Sequence, residues 1–120
     1  CLVQEHELAD RYPSYIEWHE AHAGTRGIWN PIDDLSYPEF DEIFDFVSVL
    51  TDHLKNGQSL VVHCAAGIGR AGTLAVAVCQ IAGMSLDEAL SHVRQHRPGA
   101  GPEVGSQLDA VVALEALLSR

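Results

Sequence analysis

The sequence predicts an α/β domain, and three observations carry that expectation. Strand-like apolar runs alternate along the chain with segments of helical periodicity. The run SLVVH (59–63) is short, apolar and rich in β-branched residues, as a buried parallel strand is. The segment before it has apolar residues at helical spacing, and the segment after it is almost wholly small or apolar. Together they predict a central, largely parallel sheet with helices on both faces. A single domain covers 1–120, a usual domain size. Because it starts on an apolar element, some N-terminal sequence is expected to be missing.

Taken in order, CLVQ (1–4) reads as the end of a strand. A short helix follows from Glu5 to Asp10, and a second starts near Ser14 and runs through YIEWHEAHA until Gly24 stops it. RGIWN (26–30) reads as a short strand ending at Pro31. Ser36 and Glu39 have capping-box spacing, with Pro38 tolerated in the first turn. Phe40, Ile43, Phe44, Val47, Leu50 and Leu54 then share a helical face, Asp41, Glu42, Asp45 and Asp52 fall mostly on others, and Gly57 closes the helix. After the strand at 59–63 comes a buried helix over Ala71–Ile81. Ser85 and Glu88 cap a helix to about His96, and Gly105–Leu118 forms the last.

Charge and composition limit the function. With 47% apolar residues the chain can bury a sizeable core, so disorder is excluded. A net charge of −10 gives no electrostatic help toward nucleic acid or an anionic membrane, so an anion site must be local. No apolar run is long enough to span a membrane, and no signal-peptide pattern is present. Cys1, Cys64 and Cys79 are odd in number and lack CxxC spacing, which argues against a disulfide framework or zinc site and for a reducing, cytoplasmic setting. His19 and His22 are spaced for metal binding but have no third ligand in view. Trp18, Trp29, Phe44, Phe46 and Cys79 read as packing residues.

The chemistry lies in the turn after the buried strand, His63-Cys64-Ala65-Ala66-Gly67-Ile68-Gly69-Arg70. A loop feeding a helix N-terminus turns its backbone N–H groups into one concavity, where the helix dipole adds positive charge. That cradle suits a phosphate. Gly67 and Gly69 let the chain curl, Cys64 lies at its floor as a thiolate nucleophile, and Arg70 can fork two N–H groups onto the anion.

HCAAGIGRAG resembles the HCxxGxxR signature of the cysteine-dependent protein tyrosine phosphatases. PIDD (31–34) is similar to the acid-bearing loop of the dual-specificity branch, RPGAG (97–101) to the turn before the last helices, and CLVQEHELADRY to the opening of the kinase-associated phosphatases. The resemblance implies that Cys64 forms a phosphocysteine, that Arg70 binds phosphate and stabilises the transition state, and that the amides of Ala65, Ala66, Gly67, Ile68, Gly69 and Arg70 complete the cradle. It implies that His63 braces the loop and that Asp34 is the general acid, with Asp33 as the alternative. No metal or organic cofactor is implied. The expected partner is a phosphorylated protein or peptide, carrying phosphotyrosine or also phosphoserine and phosphothreonine.

One position departs from the family pattern. Where a Ser or Thr usually follows the Arg, this chain has Ala71, so hydrolysis of the phosphoenzyme is expected to be slowed; Thr73 is not the same position. Gln107 is a candidate to position the hydrolytic water, and Cys1 a candidate redox partner of Cys64, as in some relatives. Two other readings stay open: a phosphatase-fold module that binds phosphorylated partners without turnover, and sulfur or arsenate chemistry on a Cys-x5-Arg loop, which the acid loop argues against.

Overall fold

The computed structural model describes residues 1–38 and 40–119, and of residues 40–43 the backbone only. Among the described residues six helices follow one another: α1 (Glu5–Leu8), α2 (Pro13–His22), α3 (Phe40–Lys55), α4 (Arg70–Ile81), α5 (Leu86–His96) and α6 (Gly105–Leu118). The helix expected over Glu5 to Asp10 ends early, in a turn. α2 opens at Pro13, whose fixed φ and missing N–H suit a first helical position. Glu39 of the expected capping box lies outside the described residues, as do the side chains of Phe40, Asp41, Glu42 and Ile43.

α4 is the centre of the molecule. It packs against α3, α5 and α6. Its composition, RAGTLAVAVCQI, buries residues on nearly every side, among them Leu74, Val76 and Ala77. One core joins Leu2, Ile32, Tyr37, Val47, Leu50, Leu74, Ala110 and Leu114; a second joins Val76, Ala89, Val93, Ala100 and Val111. α5 has the predicted box: Glu88 N–H donates to Ser85 Oγ at 3.2 Å and Ser85 N–H to Glu88 Oε2 at 2.9 Å. Such a cap stabilises a helix by about 1 kcal/mol. α6 buries Gln107, Ala110, Val111 and Leu114, an i, i+3, i+4, i+7 stripe.

The predicted sheet is not formed: no strand occurs among the described residues. Three extended segments lie side by side, with 1–3 between 28–32 and 60–64. The Cys1 amine donates to Ile28 O at 2.8 Å. Asn30 N–H donates to Cys1 O at 2.9 Å, Ile32 N–H to Leu2 O at 3.0 Å, and Leu2 N–H to His63 O at 3.0 Å. These bonds hold the segments together but do not propagate into a ladder. Thr25, Arg26 and Gly27 each donate to His22 O at 3.1 Å, so the first half of RGIWN is spent closing the end of α2. Gly27 forms only an isolated parallel bridge with Ala23. Within the SLVVH run Val61 is 90% exposed, where a buried strand was expected.

Candidate active site

The site is built where residue 64 leaves the extended segment and α4 begins. Cys64 packs, half-buried, against the first core, to which the buried Ala71 in the first turn of α4 also belongs. Between them the loop is tied by its carbonyl oxygens. Arg97 donates from Nη2 to Ala66 O at 3.0 Å and from Nε to Gly67 O at 3.2 Å. Gly72 and Gly101 N–H groups donate to Ile68 O at 3.0 and 3.1 Å. The amide N–H groups of Ala65, Ala66, Gly67, Ile68 and Gly69 donate to no acceptor among the described residues. A run of free donors at a helix N-terminus is the arrangement that attracts an anion.

Two glycines have specific reasons. Gly67 has φ 73°, and a Cβ there would stand 3.1 Å from Arg97 Nη2. On the helix itself, a Cβ at Gly72 would stand 2.3 Å from Gly101 N, so α4 touches the turn after α5 backbone to backbone.

Arg70 is 2% exposed, and its guanidinium is held from behind. Nη1 and Nη2 fork onto Glu7 Oε2 and Oε1, each at 2.9 Å, and Nη1 also donates to Ile32 O at 2.9 Å. The fork expected to meet an anion is therefore engaged by Glu7. Buried Nε has no partner among the described residues. Glu7 keeps its carboxyl below the usual carboxylate range, chiefly through the hydrogen bonds from Arg70. The guanidinium is raised in return, again chiefly by Glu7.

The two candidate acids separate. Asp34 Oδ1 lies 3.5 Å from Arg70 Nη2 and accepts Leu35 N–H at 2.9 Å. Asp33 turns away, to Gln4 Nε2. Leu35, at φ 54°, makes a left-handed bend directly after Asp34. Gln107, 1% exposed, links the acid loop to the cradle: Nε2 reaches Ser36 O at 3.5 Å, and a Cβ on Gly69 would stand 3.1 Å from the same nitrogen. His63 Nε2 pairs with Tyr15 Oη at 2.6 Å, and its Nδ1 lies 3.3 Å from Cys64 O.

The structure thus brings together Cys64, the loop 65–69, Arg70, Asp34 and His63. Glu7, Tyr15, Arg97 and Glu103 were not foreseen from the residues. The signals available for them were the Glu-Leu pair in the opening segment and the Arg-Pro-Gly turn. Cys1, Cys64 and Cys79 are all free thiols. Cys1 lines a cavity of about 450 Å³ together with Tyr15, Trp18 and His19. His19 is 5% exposed with neither ring nitrogen bonded, and no group of three metal-ligating side chains gathers among the described residues.

Residues 7–83 match a family model described as a polymorphic toxin system DSP-PTPase phosphatase. The chain belongs to this DSP-PTPase family. The chain is 40% identical over 67 residues to dual specificity protein phosphatase 1 of Arabidopsis thaliana, covering 55% of this chain and 32% of that protein. It is 36% identical over 72 residues to mouse protein tyrosine phosphatase type IVA 3, covering 58% of this chain and 42% of that one. The chain thus spans less than half the length of these two curated relatives. Among solved structures, Tk-PTP in its active form superposes with a TM-score of 0.78 at 32% identity, over 96% of this chain and 75% of that one. Kinase-associated phosphatase, at 22% identity and a TM-score of 0.77 over 98% of this chain and 67% of that one, shares the fold. The DSP-PTPase fold is therefore shown by its neighbours, although its sheet is represented here by extended segments. No described helix is long and apolar enough to cross a membrane.

Proposed function

We propose that this DSP-PTPase domain hydrolyses phosphotyrosine, and phosphoserine or phosphothreonine as well, on protein substrates through a phosphocysteine. The observation that carries the reading is the sorting of the loop, with carbonyls tied outward and amides left free directly between Cys64 and Arg70. In the first step Cys64 Sγ attacks phosphorus, the P–O bond to the leaving group breaks, and Asp34 gives its proton to the departing oxygen. In the second, water attacks phosphorus, Asp34 takes its proton, the S–P bond breaks and inorganic phosphate leaves. The free amides and Arg70 Nε stabilise the equatorial oxygens in both steps. Gln107, set between the acid loop and Gly69, orients the water. Neither step needs a metal or organic cofactor.

The geometry supports Asp34 over Asp33, because only Asp34 approaches Arg70. The test is stopped-flow hydrolysis of p-nitrophenyl phosphate in chelator. Cys64→Ser should abolish release, and Asp34→Asn should slow it by about 10² to 10⁴. Asp33→Asn should change it by less than about threefold, since a group outside the transition state adds little. Phosphopeptide binding by wild type without any release of phosphate would replace the enzyme reading by a binding module.

A further inference from the structure

Glu103 lies between α5 and α6 and approaches the cradle at Gly69, two residues beyond the Gly67 that Arg97 approaches. Its backbone is fixed by N–H donation to Gln107 Oε1 at 2.7 Å. Its carboxylate leans on the loop: a Cβ built on Gly69 would stand 2.2 Å from Glu103 Oε1. Gly69 is the N-cap of α4 and has no side-chain cap. Neither ion pair found among the described residues involves Glu103. An uncompensated carboxylate therefore rests beside the positive end of α4, where negative charge is favoured, and competes for the potential that an incoming phosphate would use.

Of the nearby cations, Arg70 is matched by Glu7, while Arg97 keeps its positive charge on the loop carbonyls and meets the cradle at Gly67 rather than at Gly69. Exposed Asp33 and Asp34 lie on the adjoining loop, joined to the same corner through Ser36 and Gln107. Taking the phosphatase reading as given, we propose that Glu103 is a specificity-determining residue. It selects phosphomonoesters set among cationic neighbours, such as a phosphopeptide flanked by Lys or Arg, and disfavours polyanionic substrates. Like charges a few ångströms apart in a partly hydrated site repel by ~1 kcal/mol or more, which is at least about a fivefold effect. Salt screens the part of this that reaches exposed flanking residues.

The experiment compares two phosphotyrosine peptides, identical except for Lys or Glu on both sides of the phosphoresidue, with wild type and Glu103→Gln. Orthovanadate titration of both proteins runs beside it. Wild type should favour the Lys peptide in kcat/KM by about fivefold or more at low salt, and less at 0.5 M salt. Glu103→Gln should reduce that ratio several-fold and bind orthovanadate at least about fivefold tighter, with a melting temperature lowered by no more than the few degrees that a charge at a helix end is worth. A wild-type ratio at or below one, or a ratio and vanadate affinity unmoved by Glu103→Gln, overturns the proposal. If neither peptide is turned over, the phosphatase reading fails by itself, and vanadate binding alone decides the role of Glu103.

Discussion

Glu7→Gln is the most informative perturbation of the site, because it removes one charge and almost no volume. Arg70 has 1% of its side chain exposed and Glu7 has 20%, so the guanidinium loses its principal counter-charge in a place water hardly reaches. Glutamine keeps one acceptor oxygen but turns an NH2 toward Arg70 Nη1 or Nη2, leaving one of the two 2.9 Å bonds unmade. Breaking a buried ion pair costs about 3–5 kcal/mol, and a hydrogen bond to a charged group about 1.5–3. Asp34, 3.5 Å from Nη2, and the partial exposure of Glu7 return some of this, so a loss of about 2–4 kcal/mol is expected. Urea denaturation followed by circular dichroism measures it. The pH dependence gives a second reading. The folded pKa of Glu7 is lowered, so its contribution is complete above the unfolded value of about 4.3 and is lost as pH falls through the folded value. The gap between wild type and Glu7→Gln should therefore be constant from pH 7 to 5 and close under more acid conditions. A loss under ~0.5 kcal/mol at pH 7, or a gap that stays flat into acid, would refute the view that Glu7 holds Arg70.

Three further outcomes are expected. Gly72→Ala drives a methyl to 2.3 Å from Gly101 N, backbone that cannot yield, and should cost about 1–3 kcal/mol by thermal melting; an unchanged melting temperature would show the two segments are not in contact. Ala71→Ser places a hydroxyl beside the leaving thiolate and should speed the steady phase after a p-nitrophenol burst by roughly tenfold, the worth of a charge-assisted hydrogen bond; wild type showing no burst would contradict it. Burial pushes the Cys79 thiol up, so iodoacetamide at pH 7.5 should label it at least about tenfold slower than an unfolded peptide thiol, and equal rates would count against its packing.

The helices were largely legible because their signals are local. Ser85 and Glu88 cap α5 as their spacing predicts, and α6 runs over the expected residues. The sheet was not, because pairing depends on what lies beside a segment. SLVVH carries strand propensity, yet a single hydrogen bond at His63 cannot make a ladder, and Val61 ends in solvent. RGIWN was misread for a local reason, the three N–H groups that converge on His22 O. In the candidate site, the placement of Cys64 and Arg70 at the two ends of one loop was legible from their spacing. Glu7 and Arg97 were not, since they reach it from 63 and about 30 residues away through contacts that only the folded chain creates. Which of Asp33 and Asp34 approaches Arg70 was not legible, because two adjacent carboxylates give no sign of which way each side chain turns.

The tethering of Ala66, Gly67 and Ile68 by their carbonyls has a thermodynamic consequence for the cradle. Each tie removes a peptide unit's freedom to rotate, so none of these oxygens can swing inward. The ordering entropy is lost when the chain folds and not when the anion arrives. Association should then be limited by stripping water from the phosphate, with little heat-capacity change from loop folding. Cutting the Arg97 tethers would move that ordering cost into the binding step and weaken every anion alike.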